Sequence, residues 1–446
     1  MERTIAAIAT PHGSGGISVI RISGDNAIAI ANSVFSGSLE AAESHTVHYG
    51  YIVKDGKYID EVLATVMKAP RTFTREDVVE ISTHGGISVT NRVLDCIISA
   101  GASYAEPGEF TKRAFMNGRI DLTKAEAVID LINSENQMAE QNAVNQLRGS
   151  LSKAIDFMRD GLINLAAHMQ VSIDYPDEDL EEITIDDIFE ILTKNICEAD
   201  RLITSADNGR IIKDGIKTVI AGKPNVGKSA LMNRITGVEK AIVTDIAGTT
   251  RDVIEENVSF DGIPIKLIDT AGIHDTDDVV EKIGVGKSIK SVENADLVIL
   301  LINASEAPSA EDMKIIEQTS NKKRIIAANK CDVCVCAESE KLSDMLISAE
   351  TGEGIELLIS RIKDMYSLGE INSGRGEIIT NMRHKEALIG CKEALCRAVN
   401  SLETGLPQDL AAMDINIAID CLGEITGATV SEDIVAAVFK NFCVGK

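Results

Sequence analysis

Eight consecutive residues, Gly222-Lys223-Pro224-Asn225-Val226-Gly227-Lys228-Ser229, have the glycine, lysine and serine spacing of a loop that wraps phosphate. They follow the β-rich run KTVIA and precede the helix-like SALMNRIT, the context such a loop requires. Glycine lets the backbone N–H groups from Asn225 to Ala230 turn toward the phosphates, and the helix N-terminus adds a favourable dipole. The Lys228 ammonium is suited to neutralise β and γ oxygens, and the Ser229 hydroxyl to hold Mg²⁺.

Three further motifs follow in order. Asp269-Thr270-Ala271-Gly272 ends the alternating run Ile265–Ile268, where a carboxylate can polarise a Mg²⁺-bound water and Gly272 can offer its N–H to a γ-phosphate. Asn329-Lys330-Cys331-Asp332 follows RIIAA; a carboxylate at Asp332 can accept the N1–H and 2-amino hydrogens of guanine. Adenine lacks those donors and would leave the carboxylate unpaired. Ser348-Ala349 fits a loop that contacts the guanine carbonyl. Between the phosphate loop and DTAG lies Thr244-Asp245-Ile246-Ala247-Gly248-Thr249-Thr250, with Thr250 the candidate to complete the Mg²⁺ shell when a γ-phosphate is present. DTAG or Asn329–Asp332 alone could be a plain strand-end turn; in this order after the phosphate loop they describe a GTP site.

The residue after DTAG is Ile273, where Ras-type GTPases carry a water-orienting Gln. An aliphatic side chain cannot do that work. Asn225 and the loop Thr244–Thr249 suggest a K⁺ held by an amide oxygen and backbone carbonyls, supplying the charge an arginine finger supplies elsewhere. Glu281, in the acidic stretch HDTDDVVE, is either the group that orients the attacking water or part of a solvated loop.

The elements around these motifs alternate strand and helix from Lys217 on, the order of a parallel α/β sheet. Residues 1–120 read as α+β: TIAAIAT, ISVIRISG, EVLATVMKAP and DVVEIST as strands, SVTNRVLDCIISAG as a helix. From Leu122, Ala125, Val128, Ile129, Ile132, Ala139, Ala143 and Leu147 fall on one helical stripe. Further helices are expected over 151–172 and 186–205, broken by DYPDEDLEE, with SADNGRIIKDG reading as a linker. After a second linker over 367–377, helices return at 381–404 and 408–422, and a last one starts with Ser431 as N-cap. The expected organisation is multidomain: an α+β domain over 1–120, a discontinuous all-α domain over 121–210 and 373–446, and an inserted α/β P-loop domain over 211–372.

Composition narrows the classes. A 446-residue chain exceeds one typical core. No apolar run approaches the ~20 residues that cross a bilayer. The start reads as a strand rather than a signal peptide, so with nine scattered cysteines a cytoplasmic setting with reduced thiols is the expectation. Cys331, Cys334 and Cys336 are close enough for a metal site, although Cys331 lies inside a nucleotide motif and a fourth ligand is wanting. The net charge of −25 opposes indiscriminate nucleic-acid binding. Residues 1–124 hold 12 Lys and Arg against 14 Asp and Glu, so this part repels RNA least.

Beyond these motifs, ATPHGSGGISVIRISG, PGEFTKRAFMNGRIDLTKAEA, DYPDED and the final FCVGK are features other GTPases lack. With them, nearly the whole chain resembles the tRNA modification GTPase family MnmE, also called TrmE. The resemblance implies an N-terminal tetrahydrofolate-binding fold that forms a homodimer and holds a 5-formyl or 5,10-methylene tetrahydrofolate. Arg21, Glu80 and Lys446 match folate-contacting positions; Arg119 stands where Lys is frequent, keeping charge but not geometry. Asn225, Thr244, Ile246 and Thr249 match K⁺ ligands, Glu281 matches the catalytic glutamate, and His274 stands in place of a common Arg. The resemblance further implies a flavoprotein partner, MnmG (GidA), bringing FAD and using NADH. Together they would place an aminomethyl or carboxymethylaminomethyl group on carbon 5 of the wobble uridine of certain tRNAs. Cys443 matches the family's C-terminal cysteine; it reads equally as a buried apolar residue or as a reactive thiol near the modification site.

A ribosome-assembly switch that binds rRNA without modifying it shares the G motifs, as does a folate-binding carrier with an appended GTPase. Normal wobble-uridine modification in a deletion strain would favour these over the MnmE reading. For the catalytic assignment, Glu281→Ala is expected nearly to abolish GTP hydrolysis while GTP binding stays intact; normal turnover in that variant removes Glu281 from the mechanism.

Overall fold

A computed structural model describes residues 3–11, 13–174, 184–238, 255–260, 263–268, 295–366, 377–440 and 442–445. The chain divides into two compact units, residues 1–132, 143–195 and 390–446 in one and 133–142 and 196–389 in the other.

In the first unit, six strands form a mixed sheet. They are β1 (Ile5–Ile8), β2 (Ile17–Ser23), β3 (Thr46–Lys54), β4 (Lys57–Met67), β5 (Val78–His84) and β6 (Ser103–Tyr104), in the order β3-β4-β5-β2-β1-β6. Only β1 and β6 pair in parallel. The alternation in ISVIRIS sends Ile20 and Ile22 to one face, where they bury against α1 (Ala27–Val34) and α2 (Ile87–Ser99) with Ile30, Val93 and Ile97. Arg21 takes the opposite face, directly across from Glu80 on β5 and Ala7 on β1. That face carries Ile5, Ala7, Phe110 and Phe73.

Phe73 lies on a segment fixed from below. Arg113, on α3 (Glu109–Met116), is buried; its Nη1 donates to both Glu76 carboxylate oxygens at 3.0 and 3.1 Å. Its Nη2 donates to Glu109 Oε1 at 3.0 Å and to the Arg3 carbonyl at 2.8 Å. A buried guanidinium is tolerated only when so satisfied.

Helices follow: α4 (Leu122–Ile132), α5 (Gln137–Leu147), α6 (Ser150–Asp174) and α7 (Ile185–Asp214), and, beyond the second sheet, α12 (Met382–Glu403), α13 (Gln408–Thr426) and α14 (Glu432–Lys440). Within the first unit α6 packs along α13, so helical segments from before and after the second sheet share one core. Leu122 and Ala125 meet Val435, Phe439 and Phe442 in another cluster. Ser431 caps α14 as expected, its hydroxyl accepting from Ile434 N at 3.4 Å.

Two expectations are corrected. The stripe from Ala125 to Leu147 is two helices, not one: Asn136 restarts the chain, its Oδ1 accepting from Ala139 N at 2.8 Å. The linker-like SADNGRIIKDG is helical to Asp214, because burial of Ala206, Ile211 and Ile212 overrides its polar, Gly-containing composition. All of DYPDEDLEE but Asp174, and most of the 367–377 linker, fall outside the described residues.

The second unit holds β7 (Ile216–Ala221), β8 (Glu255–Phe260), β9 (Ile263–Ile268), β10 (Leu297–Asn303), β11 (Arg324–Asn329) and β12 (Met345–Ile347), ordered β12-β11-β10-β7-β9-β8. All neighbours are parallel except the edge pair β8–β9. Its helices are α8 (Lys228–Val238), α9 (Ala310–Gln318), α10 (Ala337–Leu342) and α11 (Ile355–Met365). The near-continuous apolar run LVILLIN marks β10 as a strand buried on both faces.

The C-terminal part of α7 is held against residues 377–381. Arg201 pairs with Glu377 at 2.7 Å, and Ile379 N donates to Ser205 Oγ at 3.1 Å. Gly209 lies so close to Ile379 that a Cβ would overlap its carbonyl oxygen. Gly209→Ala is therefore expected to lower stability by about 1–3 kcal/mol through overpacking; an unchanged urea-unfolding midpoint would contradict this close approach.

Candidate nucleotide-binding site

The phosphate loop leaves the C-terminal end of β7, the central strand between β10 and β9, the usual position for a ligand in an open parallel sheet. Two glycines are dictated by neighbours. A Cβ on Gly222 would come within 2.5 Å of the Leu301 carbonyl, and one on Gly227 would overlap the Asn329 amide nitrogen. Asn225 takes the left-handed conformation at φ 62°, which Asn tolerates better than most side chains, and is exposed. Val226 is buried. Ser229 and Ala230 lie in the first turn of α8, and Leu231 N bonds the Gly227 carbonyl at 2.9 Å. The Lys228 ammonium donates to the carbonyls of Gly222 and Lys223 at 2.8 and 3.0 Å, which holds it over the loop.

The residues expected to meet the base come from the ends of β11 and β12. Asn329 is buried, and its side chain works in two directions. Nδ2 donates to the Val226 carbonyl at 2.7 Å, and Oδ1 accepts from Ala349 N at 2.9 Å. One amide thus ties the phosphate loop to the Ser348-Ala349 loop. Lys330, at φ 70°, turns the chain so that Val333 N reaches its carbonyl at 3.1 Å, leaving Asp332 exposed. Ser348 is buried and accepts from Thr351 N at 3.1 Å. Burial first, then Glu353 and Asp332, raise the Cys331 thiol pKa, so this cysteine is kept in the uncharged form. Among the described residues no group of three or more His, Cys, Asp or Glu could hold a metal ion, which removes the Cys331, Cys334, Cys336 reading. No helix of the described residues is long and apolar enough to cross a membrane.

Sequence reasoning missed Arg234. From α8 its Nε donates to the Ala349 carbonyl at 3.1 Å and its Nη2 to that of Glu350, a second tie between the phosphate-loop helix and the base loop. An arginine 115 residues from its partner leaves no local signal. Thr244, Asp245, Ile246, Ala247, Gly248, Thr249, Thr250, Asp269, Thr270, Ala271, Gly272, Glu281 and Lys446 lie outside the described residues.

In the first unit, Arg21 and Glu80 form a 2.8 Å ion pair. The Arg21 guanidinium lies 5.8 Å from the Phe73 ring centroid and 5.6 Å from that of Phe110. Arg119 stacks on Phe73 at 4.8 Å and donates to the Phe73 carbonyl at 3.1 Å. Burial, and then the neighbouring Arg75, make it easier to deprotonate than a free guanidinium. The structure therefore gathers Arg21 and Arg119 around Phe73, a residue the sequence did not single out, with Glu80 paired to Arg21. Cys443 is exposed, against the buried alternative, and its carbonyl accepts from Gly108 N at 3.3 Å. Gly445, at φ 97°, is in contact with Ile8 and Ala9 at the end of β1.

Two family profiles match the chain, "GTP-binding protein TrmE N-terminus" over residues 4–119 and "MnmE helical domain" over residues 122–443. A tRNA modification GTPase MnmE from Acetivibrio thermocellus is 47% identical over 459 aligned residues, covering 100% of this chain and 99% of the relative. Its counterpart from Lactobacillus helveticus is 48% identical, covering 99% and 98%. The chain belongs to the family of tRNA modification GTPases named MnmE. Its multidomain architecture, with a TrmE N-terminal domain, a helical domain and an α/β nucleotide domain, is that of MnmE. A solved G domain of the T. maritima FeoB iron transporter is 30% identical, covering 34% of this chain and 98% of that one, with a TM-score of 0.26.

In this MnmE-family site, Asn329→Ala removes both ties at once and leaves the Val226 carbonyl and Ala349 N–H without their buried partner. It is expected to weaken GTP binding by at least about tenfold, given ~1–3 kcal/mol per buried unsatisfied group. Wild-type affinity in that variant, measured by fluorescent-nucleotide titration, would contradict the bridging role.

Proposed function

We propose that this GTPase of tRNA modification is activated by K⁺ and controls a one-carbon transfer from a tetrahydrofolate derivative to tRNA. The GTP-hydrolysing core is carried by one observation, the Asn329 amide that joins phosphate loop and base loop into a single edge. In this reading the Ser229 hydroxyl holds Mg²⁺, a hard cation that prefers oxygen, with Thr250 as its companion. Asn225 offers its amide oxygen to K⁺ beside the phosphates, with Thr244, Ile246 and Thr249 completing the cage. K⁺ supplies positive charge where charge develops between the β- and γ-phosphates. Glu281 then orients the water that Ile273 cannot.

The folate derivative sits over Phe73, with Arg21, Glu80 and Arg119 around it and Lys446 contributing from the C-terminus. Two features support this placement: an aromatic ring flanked by guanidiniums suits a flat heterocycle bearing carboxylates, and Gly445 brings the C-terminal residues to the end of β1. The exposed Cys443 is offered as a thiol at the modification site.

The chain acts as a homodimer in this reading. Val47 and Tyr49, with Leu63 paired opposite Tyr49, form an exposed apolar face on β3 and β4 that self-association would cover. The flavoprotein MnmG brings FAD and NADH, and the product is the aminomethyl or carboxymethylaminomethyl group at carbon 5 of the wobble uridine. The domains are assigned as 1–120 for folate and dimerisation, 121–210 with 373–446 for the helical domain, and 211–372 for the G domain. A cytoplasmic location fits these partners.

Replacing Na⁺ by K⁺ at constant ionic strength is expected to raise the GTPase rate by about tenfold or more, the scale of one transition-state charge contact; equal rates in the two salts would refute the K⁺ assignment. For the folate site, Arg21→Ala should weaken binding of 5-formyltetrahydrofolate about tenfold, as loss of a charge-assisted contact does, and unchanged affinity by calorimetry would end that assignment.

A further inference from the structure

The side chain of Lys223, the second residue of the phosphate loop, reaches a buried acid. Its ammonium is 3.3 Å from Asp312 Oδ2 and 3.8 Å from Glu306 Oε2. Asp312 is 2% exposed, on the first turn of α9. Its Oδ2 also accepts from Ser309 N at 2.9 Å and Ser309 Oγ at 2.7 Å, closing a capping box; its Oδ1 has no hydrogen-bond partner among the described residues. Burial opposes ionisation of this carboxyl, but the Ser309 groups and Lys223 outweigh it and hold it below the usual carboxylate range. A helix cap needs only the Ser309 bonds. The buried charge needs Lys223.

Lys223 is also where Lys228 is held. The Lys228 ammonium donates to the Lys223 carbonyl at 3.0 Å and to the Gly222 carbonyl at 2.8 Å. The side chain of Lys223 is therefore anchored 89 positions away along the chain while its backbone supports the phosphate-binding lysine. We propose that Asp312 is a positioning residue for GTP binding: through Lys223 it fixes the carbonyls that hold Lys228 in the direction of the phosphates. Asp312 touches no substrate in this scheme, and its influence travels only along Lys223.

The test uses the full chain with four variants, Asp312→Asn, Lys223→Met, Lys223→Arg and the double variant Lys223→Met/Asp312→Leu. GTP and ATP affinities are measured by fluorescent-nucleotide titration, kcat and KM by phosphate release, and folding by thermal melting. Asp312→Asn and Lys223→Met should each weaken GTP about tenfold, the scale of one hydrogen bond to a charged group, with the GTP-over-ATP preference retained because the base loop is untouched. Lys223→Arg should restore most of the affinity. The double variant removes both charges, so it folds without a buried unpaired ion, yet should bind GTP as weakly as Lys223→Met alone. Lower melting temperatures with wild-type GTP affinity and KM would overturn the proposal and leave Asp312 a helix cap. If a single variant fails to fold, the double variant decides: wild-type GTP affinity in it overturns the proposal, and weakened affinity upholds it.

Discussion

The nucleotide edge is organised around one buried carboxamide. Asn329 spends its donor on the phosphate loop and its acceptor on the loop after β12, so segments 103 and 20 residues away are held by a single buried side chain. Gly227 is the counterpart of that arrangement, since any side chain there would occupy the space of the amide nitrogen. A nucleotide has a charged end and a base end, and discrimination requires both to be gripped by surfaces that do not move relative to each other. Arg234 strengthens the same tie from the helix that begins at Lys228.

The first unit is built on a comparable economy of polar groups. Arg113 is buried among Glu76, Glu109 and the Arg3 carbonyl, and the segment it fixes presents Phe73 to Arg21 and Arg119. Positive charge on that face is therefore local, paired on one side with Glu80 and stacked on aromatic rings. A chain of net charge −25 thus gathers two guanidiniums at one aromatic ring.

Much of this was legible in the sequence because it is local. The order of strands and helices from Lys217, the glycine spacing of the phosphate loop, and Ser431 as a cap can each be read from a short stretch of sequence, although the neighbours that dictate Gly222 and Gly227, Leu301 and Asn329, are distant in the chain. Arg21 and Glu80 were singled out only through resemblance, as positions of one site, and their pairing comes from the register of β2 against β5. Arg234, Arg113 and the Lys223–Asp312 pair were not legible, since each depends on a partner brought near by the completed fold. The end of α7 was misread for the opposite reason: its composition suggests a linker, and only burial of Ala206, Ile211 and Ile212 makes it helix. The break between α4 and α5 shows the limit of periodicity, which continues across a gap that Asn136 recaps.

The central claim is that one rigid edge grips the phosphates and reads the base as guanine. Competitive titration of the full chain with GTP and ATP under identical Mg²⁺ tests it directly. The account predicts a preference for GTP of at least about a thousandfold, because adenine leaves the Asp332 carboxylate without its donors. Comparable affinities for the two nucleotides would contradict it.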